Sequence, residues 1–337
     1  MIRFSLSTRG LTGDQSRPLW AQVDDAAEIV RFAAGLGTFQ ILRAPSHWIS
    51  HPTVWAEPIP LLARLAPEAG QMSLMTSVLK LPLHNPVDLA HQIATLDHVA
   101  HGRLIVGVGL GYNVAELEAV GTNRRERVAR FEESVGLMKA LWAGDAVTHE
   151  GRFWTVHDVQ MGYVPVQQPN PPLWNASYSV PAAQRAARIC DGLYIADQAT
   201  WAAARELARE YRAALAEAGK PGPGTVGLNR TISVAPTHGA ARKAAEARES
   251  ASSVYYSRWG MREASMSSMG LEEGRDLTEW TIVGTPADCV AEIRRRDDEI
   301  GIDFIGLNFA NLPGDVAARR DYLQWVSEEV LAPAMGS

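Results

Sequence analysis

Short apolar, β-branched runs alternate along the chain with longer stretches whose apolar positions recur every three or four residues. The short runs, over 2–7, 39–44, 72–78, 104–108, 172–176, 192–195, 226–234 and 304–307, predict strands. Helical spacing over 18–34, 53–65, 86–100, 124–142, 181–189, 200–218, 240–250, 286–300 and 316–331 predicts the elements between and after them. In the first of these the apolar stripe is Val23, Ala26, Ala27 and Val30. Repeated strand–helix units belong to the α/β class and favour a parallel sheet buried on both faces. Eight strands is the number that a closed (β/α)8 TIM barrel requires. An open doubly wound sheet is the alternative, but it would normally carry a glycine fingerprint at its first strand–helix turn. The turn TRGLTGDQ has none.

Two segments break the rhythm. Residues 144–172 are rich in aromatics, Gly and Pro, and 251–283 carry Tyr255, Tyr256, Trp259, Met261, Met266, Met269 and Trp280. Loops this long are usually lids or binding loops. The alternative is that they pack on the barrel or on a second subunit. The expectation is a single barrel domain over 1–337, with both segments inserted at the C-terminal face and the second serving as a lid.

Composition narrows the function classes. With 46% hydrophobic and 21% charged residues, the 337-residue chain is a packed globular protein and not a disordered one. The net charge of −6, with no basic tract, argues against nucleic acid. Two cysteines, Cys190 and Cys289, support neither a disulfide framework nor a zinc cluster, and helical patterns around both suggest buried packing. No apolar run approaches a signal peptide or a membrane span, so the expectation is a soluble, cytoplasmic protein with no membrane partner.

Candidate chemistry clusters at predicted strand ends, which in a barrel form the active-site face. GRLIVGVGLGYN (102–113) places Gly107, Gly109 and Gly111 there, followed by Tyr112 and Asn113. Val114 occupies the third glycine position of a dinucleotide motif, but small residues let something flat approach the backbone. PPLWNASYSVP (171–181) ends a strand in Ser177, Tyr178 and Ser179 ahead of a helix with Pro181 in its first turn. Backbone N–H groups at such a start, with two hydroxyls, make a phosphate cradle; an ordinary helix cap is the alternative. His84, His91 and His98 recur every seven residues, which is not zinc-ligand spacing, and a hydrogen-bonded or solvated face suits them better. His47 directly follows a predicted strand, where an imidazole can give or take a proton. Hydrolase-elbow and Walker signatures are missing.

Four blocks, 76–121, 130–154, 171–195 and 283–309, together resemble the bacterial-luciferase-like flavin monooxygenases. The strings LPLHNP, DHVAHGRLIVGVG and VGTP fall in that family's order and spacing, and the resemblance covers nearly the whole chain. It implies a TIM barrel holding FMN at the C-terminal ends of its strands, commonly as a homodimer. It also implies that reduced FMN meets O2 to form a flavin hydroperoxide that oxygenates a small organic substrate, while a separate flavin reductase supplies the reduced FMN. A deazaflavin-dependent hydride transferase of the same superfamily and a non-catalytic flavin-binding protein are the alternatives. By resemblance, Ser177, Tyr178 and Ser179 form the phosphate turn, and Thr76, Tyr112 and Asn113 lie beside the flavin ring. The acid–His pair that often follows the second strand reads Ser46-His47 here, with the acidic position lost. That departure weakens a proton-transfer role for His47.

Overall fold

Each of the eight apolar runs becomes a strand of one parallel ring in the computed structural model, which describes residues 1–51, 53–258 and 276–336 (of 251–258 the backbone alone). In chain order the strands are β1 (Arg3–Ser7), β2 (Phe39–Ala44), β3 (Ser73–Lys80), β4 (Leu104–Gly109), β5 (Val147–Glu150), β6 (Thr155–Val159), β7 (Leu173–Ser177), β8 (Gly192–Ile195), β9 (Thr225–Val234), β10 (Ile282–Gly284) and β11 (Phe304–Phe309). The ring runs β1-β2-β3-β4-β7-β8-β9-β11 and closes where β11 pairs with β1. β10 pairs along the outer part of β9, and β5 and β6 form a separate antiparallel hairpin. The result is a closed eight-stranded barrel.

Burial on both faces explains the near-continuous apolar reading of the strands. Outward residues pack under the helices, as with Leu42, Leu74, Val106 and Leu193. Inside the barrel, Ile41, Met75, Ile105, Trp174, Tyr194 and Phe304 form a second cluster. Phe304 lies 5.8 Å from the Tyr194 ring and 5.6 Å from the Trp174 ring. These aromatics fill the barrel interior and leave the space above them, at the strands' C-terminal ends, for a site.

Several boundaries differ from the sequence reading. The helix expected over 53–65 is Pro58–Leu65, because Pro58 has no N–H to give and fits only the first turn. A six-residue helix, Val114–Ala119, precedes Arg127–Trp142 and lies outside the helices that the spacing predicts. The β5–β6 hairpin lies within 144–172, and its tip is held by Glu133, which accepts hydrogen bonds from the Phe153 and Trp154 amides. The Arg130 guanidinium covers the Phe153 ring at 4.6 Å. That insertion is therefore docked on Arg127–Trp142. It joins the end of that helix to the start of β7, and Gln167 donates to the carbonyl of Leu104 at the start of β4. It thus lies at the strands' N-terminal ends and not at the C-terminal face where it was expected. Of the expected lid over 251–283, residues 259–275 and the side chains of Tyr255, Tyr256 and Arg258 lie outside the described residues.

Candidate active site

Above the aromatic plug, a cavity of about 310 Å³ opens among the C-terminal ends of β2, β3, β4, β7 and β8 and the loops that follow them. Val78, Gly109 and Ala176 give it an apolar wall, and the cis peptide Ser77–Val78 lies on it. The glycines divide their tasks. A Cβ at Gly107 would land on the Thr76 carbonyl oxygen, so this glycine admits the neighbouring strand and not a ligand. A Cβ at Gly109 would stand 2.9 Å from Val78 Cγ2 and intrude on the cavity wall, and Gly111 turns the chain at φ +74°.

At the base of the cavity Arg43 is buried, with no carboxylate in ion-pair contact among the described residues. Its guanidinium donates to Ser5 Oγ (2.9 Å), the Leu307 carbonyl (2.9 Å) and Asn308 Oδ1 (2.6 Å). Neutral acceptors hold the cation in place and leave its charge available to an anion or a carbonyl oxygen in the cavity.

The corner at the start of helix Val180–Ile189 is built for an anion. Ser179 is the N-cap, yet its hydroxyl makes no cap hydrogen bond, unlike Asn85 and Thr285 at other helix starts. The cavity is lined here by Tyr178, Ser179, Arg127 and Arg185. Arg185 is only 6% exposed, and its Nε has no hydrogen-bond partner among the described residues. Burial lowers its pKa, and it remains a cation. A free hydroxyl, an orphaned buried donor and the positive helix end converge, which is the donor set a phosphate needs.

On the β2–β4 side, His47 Nδ1 lies 3.4 Å from Glu116 Oε1, and the Tyr112 hydroxyl lies 3.0 Å from His47 Nε2. Glu116 also accepts from Lys80 Nζ (2.9 Å) and from the Trp48 amide (3.0 Å). Lys80 Nζ donates in turn to the Ser46 carbonyl, which ties the loop after β2 to β3. Burial lowers the His47 pKa to about 4 against the pull of Glu116, so the imidazole is neutral at ordinary pH. Burial alone would raise the Glu116 carboxyl, but the His47 contact and the Lys80 charge outweigh it and bring it down to about 2. The carboxylate missing beside His47 in sequence is thus supplied from helix Val114–Ala119.

The expected site residues separate into two groups. His47, Tyr112, Tyr178 and Ser179 line the cavity. The other three, Thr76, Asn113 and Ser177, expected beside the flavin ring or in the phosphate turn, are not among the cavity's lining residues, and their side chains bond within the protein. The Thr76 hydroxyl donates to the Gly107 carbonyl across the β3–β4 pair. Asn113 caps helix Val114–Ala119 and donates to the Ile49 carbonyl, which positions Glu116. Ser177 is fully buried with its hydroxyl against Asn175. Sequence reading missed Arg185, Arg127, Lys80 and Glu116. Of the spaced histidines, His91 and His98 flank the Tyr163 ring at 5.2 and 5.5 Å, and no metal-ligating group occurs among the described residues.

The sequence model of the luciferase-like monooxygenase family matches residues 2–303, and the chain belongs to that family. The oxygenase component of a flavin-dependent trigonelline monooxygenase from Acinetobacter baylyi is 30% identical over 156 residues, 46% of this chain and 43% of that one. An F420-dependent glucose-6-phosphate dehydrogenase from Kineococcus radiotolerans is 38% identical over 132 residues, 38% of each chain. The matches thus span about two fifths of these relatives' lengths. Among solved structures, the oxygenating constituent of 3,6-diketocamphane monooxygenase from Pseudomonas putida, in complex with FMN, superposes with a TM-score of 0.82. It is 18% identical, with 99% of this chain and 98% of that one covered, a likeness of fold. The family includes both FMN monooxygenases and F420-dependent oxidoreductases. Among the described residues no helix is long and apolar enough to cross a membrane.

Proposed function

We propose that this chain is the oxygenase component of a flavin monooxygenase: it takes reduced FMN from a separate reductase and, with O2, oxygenates a small organic substrate. The observation that carries this reading is one cavity holding both an uncommitted anion corner and a largely buried, neutral histidine backed by a carboxylate. When bound, reduced FMN supplies the two electrons with which one oxygen atom of O2 enters the substrate and the other leaves as water.

The chain's own residues do the rest. Ser179, Arg185 and Arg127 hold the phosphate at the helix start. The wall of Val78, Gly109 and Ala176 accepts a flat ring, and Arg43, steadied by the Asn308 carbonyl oxygen that accepts from it, presents a fixed cation at the base. Trp55, whose ring meets His47 edge-on at 5.3 Å, covers the imidazole and keeps water from it. His47, neutral and flanked by Glu116, is set to hold a proton transiently.

The Kineococcus relative favours a second reading, hydride transfer with a deazaflavin, whose phosphate would suit the same corner. Turnover under 18O2 with reduced FMN and a panel of ketones, organosulfur compounds and N-heterocycles separates the two. Incorporation of 18O into a product is expected. No labelled product, together with reduction of the deazaflavin by an alcohol, would replace the first reading with the second.

A further inference from the structure

We infer that the Tyr112 hydroxyl, and not the His47 imidazole, is the group through which this cavity exchanges protons, with His47 and Glu116 as positioning residues that receive and balance the Tyr112 proton. This rests on reading the cavity as the reaction site. An imidazole has two nitrogens, and protein groups face both of His47's: Glu116 Oε1 stands at ion-pair distance, 3.4 Å from Nδ1, and Tyr112 Oη is hydrogen-bonded to Nε2 at 3.0 Å. Both His47 and Tyr112 line the cavity, but both imidazole nitrogens face protein groups, whereas the Tyr112 oxygen keeps a lone pair that can accept a proton while its own proton goes to Nε2.

The direction of the relay follows from charge. The Glu116 carboxylate is ionised, accepts from Lys80 Nζ and the Trp48 amide, and favours the tautomer whose proton sits on Nδ1. Nε2 then carries a lone pair, and the phenol donates to it. In the step this permits, a proton from the reacting molecule passes to Tyr112 Oη as the phenol's own proton passes to His47 Nε2. The imidazolium so formed lies beside the Glu116 carboxylate, and the reverse movement returns the proton. Two proton shifts occur together and carry one net proton from the reacting molecule to the imidazole; no electrons are transferred and no further reactant is needed. Burial, with Lys80 and Arg9 as nearby cations, keeps His47 neutral at rest, so the relay resets after each transfer. Gly111 and Asn113 flank Tyr112 and fix its approach: the first turns the chain at positive φ, and the second caps the helix that carries Glu116.

Two measurements test this. The first is long-range 1H–15N NMR of the His-labelled chain without cofactor near neutral pH, with His47→Gln assigning the signals. A protonated Nδ1 and a bare Nε2 are expected; a proton on Nε2 would make Tyr112 the acceptor and overturn the relay. The second is Tyr112→Phe, whose fold is checked by circular dichroism and whose FMN affinity should stay within about threefold of the parent, while kcat falls about 100-fold or more with KM little changed. Parental kcat in that variant would also overturn the inference. If the parent itself binds no flavin and oxygenates nothing, the functional reading fails, while the NMR result still decides which way the hydroxyl points.

Discussion

Lys80 Nζ and Glu116 Oε2 stand 2.9 Å apart, with their side chains 4% and 1% exposed. A buried pair of this kind contributes little net stability against an apolar substitute, but losing one partner strands the other charge. Lys80→Met should therefore destabilise the protein by about 3 kcal/mol in urea unfolding, and adding Glu116→Gln should restore part of that loss. A cost for Lys80→Met below about 1 kcal/mol would show that Glu116 does not depend on this ammonium.

Burial lowers the pKa of both His47 and His84 to about 4, against 6.5 for the free group. Between those values the unfolded chain binds protons that the folded chain refuses, so stability is full above pH 6.5 and falls as the pH drops toward 4. The combined slope is roughly 2 to 3 kcal/mol per pH unit, and His47→Gln should remove about half of it. Glu116, held at about 2, acts in the adjoining window: its contribution is present above 4.5 and is lost as pH falls through 2. Unfolding curves recorded across this range check the sign, and a flat profile from pH 6.5 to 4 would contradict it.

Gly107 admits the backbone of β3, and a methyl group there meets the Thr76 carbonyl oxygen, which cannot swing aside. Gly107→Ala should cost about 3 kcal/mol or more. The control is Gly136→Ala, where nothing lies within 4 Å of the added carbon and the helix gains propensity. Equal stabilities of the two variants, measured by thermal unfolding, would remove the close-approach argument.

The anion corner predicts a graded series. Arg185→Gln and Ser179→Asp should each weaken FMN binding about tenfold or more while leaving riboflavin affinity unchanged, since only FMN carries the phosphate. Ser177→Ala, whose hydroxyl is buried against Asn175, should alter FMN affinity by less than about threefold. Fluorescence titration resolves these differences. A Ser177 effect larger than that of Ser179 would return the phosphate contact to the buried serine.

The barrel was legible because a parallel strand covered on both faces must read as a short apolar run, and eight such runs separated by helical spacing leave few topologies. The cavity's lining was legible only where a residue follows its own strand closely, as His47, Tyr112, Tyr178 and Ser179 do. Glu116 escaped because its helix has six residues and its partner lies in the loop after another strand. Arg185 looked like one more cation of an Ala/Arg helix, and only the packing turns it into the cavity corner. Thr76, Asn113 and Ser177 stand outside the lining for the converse reason. A polar residue at a strand end is as readily spent on a neighbouring strand or a helix cap as on a ligand.

The most direct test of the central claim is a side-by-side titration of the protein with FMN and with riboflavin. Recognition through the phosphate at Ser179, Arg127 and Arg185 predicts that FMN binds about tenfold tighter or more, with the difference shrinking as salt is raised. Equal affinities for the two, or a preference for riboflavin, would mean that the corner at the start of helix Val180–Ile189 does not hold the cofactor.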